Sequence, residues 1–200
     1  MKTNNITEPY MAYKKATYVL LDLNFSTTTT PIEPILEENN INLCKFSEIK
    51  NFINRDTPIY KSSGFLANRN GHYIIIYNDS DDFFRIRWTI AHELGHYYLN
   101  HNFENQNEYD AQEIEANYFA SQLLMPIELL LLLDQYYYLE ELVLEKYCRV
   151  SHEAAKNRLN YYFRRKYTFA NLKLSTDMMY SYCQRIKNTP FPELYKLKRP

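Results

Sequence analysis

The run of apolar and polar positions divides the chain into a helical start, a short β-rich stretch and a long helical remainder. Residues 10–24 read as a helix and 26–34 as a Thr/Pro loop in which Thr27 to Thr30 is a low-complexity run with no evident chemistry. A helix at 35–40 and a short strand at 41–46 are predicted next. Two apolar runs, 64–67 and 72–77, then flank Asn70-Gly71. That dipeptide marks a β-hairpin, because both central positions of the tight turn need positive φ. A small antiparallel sheet of about three strands is expected.

Past Ser80-Asp81-Asp82, any of which can cap free backbone N–H groups, the period becomes helical. Ile86, Ile90, Leu94, Tyr97 and His101 recur three or four apart and predict one long helix over 83–101. A polar loop at 102–107 leads to a second helix, 108–124, which Met125-Pro126 ends. Further helices are predicted at 127–135, 138–148 and 152–166, and the final stretch carries no readable pattern. The expected fold class is α+β, mainly helical with a small antiparallel sheet. Its domain occupies 1–137 and a basic helical extension, 138–200, packs on it. No internal repeat and no Gly/Pro/Ser-rich linker separates the two.

The 200 residues suit one globular domain with an appendage, and a hydrophobic share of 46 % excludes wholesale disorder. With 20 Tyr and 11 Phe, much of the core must be aromatic. Cys44, Cys148 and Cys183 are odd in number and far apart, which argues against a disulfide framework or a thiolate metal knuckle and for a reducing cytoplasm. The N-terminus lacks the basic-then-apolar pattern of a signal peptide, and the longest apolar run, Leu129 to Leu133, is far too short to span a bilayer. No membrane association is expected. The net charge of -1 hides an asymmetry: 1–140 hold 10 Lys+Arg against 19 Asp+Glu, and 141–200 hold 13 against 5. The basic last third either neutralises the acidic body or faces an acidic partner or a nucleic acid.

The chemistry concentrates at His92-Glu93-Leu94-Gly95-His96, an HExxH pattern inside the predicted long helix. At i and i+4 two imidazoles project from one helix face and can hold one metal ion, with the intervening Glu93 angled toward its open side. A catalytic zinc takes three protein ligands and keeps a fourth position open. The metzincin spacing would put the third at a His six residues after His96, where Asn102 stands; His101 misses it by one.

The alternative is a carboxylate on the next helix, Glu113 or Glu115. Two residues apart they point about 200° apart, so only one can face the metal. Glu115 falls within the apolar arc with Phe119, Leu123 and Ala116, where a zinc charge would compensate it, and it is assigned as third ligand; Glu113, on the polar side with Asn117 and Ser121, is the alternative. Glu93 would take the proton of the attacking water and pass it to the leaving amine in peptide-bond hydrolysis. Gly95 would admit neighbouring backbone close to the zinc helix, and the strand ending at Tyr77 could offer an edge to an extended substrate. Tyr97, Tyr98, His101, Tyr109 and His152 are all candidates for stabilising an oxyanion.

The stretch from Arg85 to His96, with the strand into Asn78 before it and Glu113-Ile-Glu-Ala-Asn-Tyr-Phe-Ala-Ser-Gln-Leu-Leu-Met-Pro126 after it, resembles the ImmA/IrrE family of metallo-endopeptidases over roughly residues 40–165. The resemblance implies a gluzincin-like zinc peptidase with His92, His96 and Glu115 as ligands and Glu93 as base. It further implies a DNA-binding repressor of a mobile element or stress regulon as the protein substrate, hence an anti-repressor role. The segment Glu141 to Leu159 is similar to the helix-turn-helix-like part that follows the protease core. Ser151 would cap a helix carrying Lys156, Arg158, Arg164 and Arg165; docking a repressor suits this surface better than entering DNA directly, since the segment is single and the overall pI about 6.5. The competing class is a catalytically idle zinc-containing module that docks a repressor or DNA. An intact Glu93 argues against it, because a purely structural zinc site needs no base.

Overall fold

A computed structural model describes residues 7–23, 27–49, 62–101, 109–169 and 176–188. By its internal contacts the chain divides into two units, one of Met1–Val19 with Pro31–Ala120 and one of Leu20–Thr30 with Ser121–Pro200. In chain order the elements are α1 (Thr7–Asp22), α2 (Glu33–Glu38), β1 (Asn42–Lys45), α3 (Phe46–Ile49), β2 (Gly64–Arg69) and β3 (His72–Tyr77). Then follow α4 (Phe83–Tyr98), α5 (Tyr109–Leu124), α6 (Ile127–Tyr136), α7 (Glu141–Cys148), α8 (His152–Phe169) and α9 (Thr176–Asn188). The mostly helical content with one small sheet fits the expected α+β class. The polar loop expected at 102–107 lies outside the described residues. No single helix among those described is long and apolar enough to cross a membrane.

The first unit holds the sheet, in the order β1-β3-β2. The hairpin forms where Asn70-Gly71 places it, with φ of 54° and 83° at the two turn residues. Asn68 Oδ1 accepts the Gly71 amide at 3.0 Å. The sheet is mixed rather than antiparallel, because β1 runs parallel to β3, Asn42 opposite Ile74 and Lys45 opposite Tyr77. Residue patterns fix the pairing of strands joined by a tight turn; for β1, separated from β3 by α3 and β2, the orientation depends on the path between them. β3 is consequently central, with Ile75 fully buried, and cannot offer the edge expected of it. The edges belong to β1 and β2, each paired on one side only among the described residues.

α4 begins where Asp82 accepts the amides of Phe84 and Arg85 at 2.8 and 3.0 Å. It ends in a Schellman turn: Asn100, at φ 54°, donates to the Tyr97 carbonyl, and the His101 amide returns to the His96 carbonyl at 3.1 Å. Ile90, Ala91 and Leu94 of α4 are buried, as are Ala116 and Phe119 of α5.

In the second unit the Thr run finds its use. Thr28 and Thr29 donate to the Tyr147 carbonyl at 2.8 and 3.1 Å and Thr30 to the Leu123 carbonyl at 2.7 Å, satisfying backbone acceptors at the ends of α7 and α5. Ser151 caps α8 by accepting the Ala154 amide at 3.2 Å, as its position in the sequence suggests. Arg158 does not project outward with the basic residues of α8. It is 4 % exposed and donates to the Met125 carbonyl and to Gln122 Oε1.

Candidate metal centre and its cleft

The helical repeat of α4 puts His92 and His96 on one face, their Nε2 atoms 3.0 Å apart. α5 crosses this face at very close range. A Cβ on Gly95 would stand 3.0 Å from Ala116 Cα and 3.1 Å from its carbonyl oxygen, so the approach requires both a glycine and a small partner. The close crossing delivers Glu113: its Oε2 lies 3.4 Å from His92 Nε2 and its Oε1 3.3 Å from His96 Nε2. One donor atom from each of the three residues lies within 4.8 Å of the others. Asn117, one turn beyond Glu113, places its Oδ1 3.1 Å from His92 Nδ1, which makes that nitrogen the protonated one and turns the Nε2 lone pair toward the cluster.

Glu115, the sequence assignment for the third position, is instead 3.0 Å from His101 Nε2. The apolar arc of α5, which carries Glu115, is not the side that faces His92 and His96. What faces them is the polar stripe of Glu113 and Asn117, which borders an open cleft where a carboxylate keeps solvent access. The available signal was the i, i+4 spacing of Glu113 and Asn117, which matches the spacing of the two histidines they meet.

The electrostatics follow from burial and from these contacts. Glu113 is held well below the usual carboxylate range, chiefly by its contacts with His92 and then His96. Burial works against charge on His92, but Glu113 and Glu93 outweigh it and its pKa rises; in His96 burial prevails and its pKa falls. Burial pushes Glu93 up to about 7 against the pull of His92. Glu93 is 6 % exposed, and the Leu66 amide of β2 hydrogen-bonds its carboxylate.

These groups line a cleft of about 640 Å³, walled by Gly64, Phe65 and Leu66 of β2, by Arg85, Trp88 and Thr89 of α4, and by Tyr109. Of the five oxyanion candidates, Tyr109 lines the cleft, and the charge of Glu113 raises its pKa. Tyr97 packs edge-on to Tyr73, Tyr98 meets Asn39 and stacks on Phe119, and His101 stands behind His96. His152 pairs with Glu145 in the second unit.

Two imidazole nitrogens and a carboxylate oxygen converge here, lone-pair donors of the kind that a divalent cation takes. The donor set therefore fits a metal ion, and two nitrogens with one oxygen suit the three-ligand sites that leave a position open. The whole set lies within the stretch matched by a family model, the IrrE N-terminal-like domain (Peptidase_M78), over residues 51–160. The chain belongs to the IrrE N-terminal-like family. Membership of Peptidase_M78 supports a metallopeptidase of the IrrE/ImmA type. No curated protein matches the chain.

Proposed function

We propose that this IrrE-like chain is a zinc endopeptidase that cuts a specific DNA-binding repressor. The observation that carries the reading is the convergence of His92, His96 and Glu113 on one point beside the buried Glu93, at the floor of an open cleft. The histidine Nε2 atoms and the Glu113 carboxylate would hold the ion. When bound, zinc would supply a Lewis acid that polarises the scissile carbonyl and acidifies the attacking water.

Glu93 receives the proton of that water and hands it to the departing nitrogen. The Leu66 amide, hydrogen-bonded to Glu93, orients its carboxylate in the absence of substrate. The open edge of β2 offers backbone groups to an extended peptide, so the chain to be cut is gripped whatever its side chains. Tyr109, which also lines the cleft, can donate its hydroxyl to the developing oxyanion.

A protease within the cytoplasm must avoid general digestion, so selectivity comes from docking surfaces beyond the scissile bond. The basic stretch 141–200 is available for that purpose and complements an acidic face on the substrate. To test the reading, the zinc-loaded protein is incubated with helix-turn-helix repressors encoded beside it, with E93Q as control. One limited cut that E93Q cannot make is the expected result. Indiscriminate digestion of unrelated unfolded proteins, or repressor binding without cleavage, would overturn it.

A further inference from the structure

His101 and Glu115 lie next to the metal centre without belonging to it. His101 Nδ1 is 2.8 Å from His96 Nδ1, and His101 Nε2 is 3.0 Å from Glu115 Oε2. The His101 side chain is 5 % exposed and that of Glu115 21 %. The placement begins in the backbone: the Schellman turn bends the chain back after Tyr98 so that His101 lies against the last turn of α4, its amide bonded to the carbonyl of His96 itself. His101 is thus tied to His96 through main chain and side chain together.

The direction of the hydrogen bonds follows from chemistry, on the reading that His96 Nε2 is a metal ligand. A ligating Nε2 has no proton, so the His96 proton is on Nδ1 and is donated to His101 Nδ1. His101 then carries its own proton on Nε2 and donates it to the Glu115 carboxylate. Each ring nitrogen in the chain has one role, and no proton is missing or in excess. We propose that His101 and Glu115 are a positioning pair that fixes the tautomer and ring orientation of His96 and strengthens it as a ligand, as Asn117 does for His92. On this reading the sequence Glu113-Ile114-Glu115-Ala116-Asn117 is the support of the whole centre: Glu113 is a ligand, Glu115 and Asn117 secure the two histidines from behind, and Ala116 meets Gly95.

The test measures Zn(II) affinity by chelator competition at one fixed pH, together with the visible spectrum of the Co(II)-substituted protein, in H101A, H101Q, E115Q, E113A and H96A. E113A and H96A should lose tight binding. H101A should bind Zn(II) about 10- to 100-fold more weakly. H101Q should restore most of that loss, because its amide oxygen can accept from His96 Nδ1 while its amide N–H donates to Glu115. E115Q should weaken binding less than H101A and shift the Co(II) bands.

Wild-type affinity and an unchanged Co(II) spectrum in H101A would overturn the pairing while leaving the metal centre intact, provided E113A has lost binding. H101Q binding no better than H101A would likewise overturn it, since the effect would then come from packing. If H101A does not fold, the nearly isosteric E115Q decides, and wild-type behaviour there refutes the pairing. Undiminished Zn(II) binding by both E113A and H96A would remove the metal centre, and the positioning pair with it.

Discussion

Arg158 is buried with its partners, whereas His92, His96 and Glu113 border an open cleft, and the two polar clusters are balanced in different ways. In the second unit the Arg158 guanidinium meets Gln122 Oε1 at 2.7 Å and the Met125 carbonyl at 2.9 and 2.7 Å. Gln122 in turn donates to Glu128 at 3.0 Å and accepts the Ile127 amide at 3.1 Å. A cation stands at the centre, and acceptors surround it. In the first unit the cluster is two imidazoles and a carboxylate, a donor set that fits a metal ion. The difference is that the Arg158 cluster supplies its own cation, whereas the histidine and glutamate donors suit a cation supplied by a ligand.

The largest effect is expected at Glu93. E93Q should keep zinc and fold while losing peptidase turnover by about 10²- to 10⁴-fold, since an amide cannot take the proton from water. Steady-state kinetics beside metal analysis checks both halves, and loss of zinc would show Glu93 to be part of the holding set. The complementary change is R158A. It strips a charged donor from buried acceptors and should cost on the order of 3 kcal/mol of stability in denaturant unfolding, with zinc stoichiometry unchanged.

A smaller effect comes from the ion itself. Free Zn(II) at about 100 times its dissociation constant should stabilise the folded chain by about 2.7 kcal/mol against a chelator-treated sample, and E113A should lose that increment whereas R158A should keep its own. G95A should destabilise by about 1 kcal/mol, the crowding of Ala116 and Phe119 being partly offset by better helix propensity, and should weaken Zn(II) binding as α5 is pushed from α4. Thermal unfolding and chelator competition read the two parts separately. D82A, which removes the α4 cap ten residues before His92, should cost about 1 kcal/mol or less and leave zinc affinity alone.

Residue pattern alone specifies local features here. The period of apolar residues placed α4 and α5, Asn70-Gly71 placed the hairpin, and the i, i+4 histidines were bound to share a helix face wherever that helix lay. Gly95 announced a close approach without naming the partner, which proved to be Ala116. Tertiary structure decided everything that depends on how one element meets another. The α5 crossing brought the polar stripe of Glu113 and Asn117 to the histidines and left Glu115 to His101, a choice that helical angles on one isolated helix do not contain. The path between non-adjacent strands made β1 parallel to β3 and put β3 in the middle, leaving β1 and β2 as edges. Among so many tyrosines, only the geometry of the cleft distinguishes Tyr109 on its wall from Tyr97 and Tyr98 in the aromatic packing. Periodicity constrains where a side chain points on its own element; the neighbour it meets is set by the crossing of elements far apart in sequence.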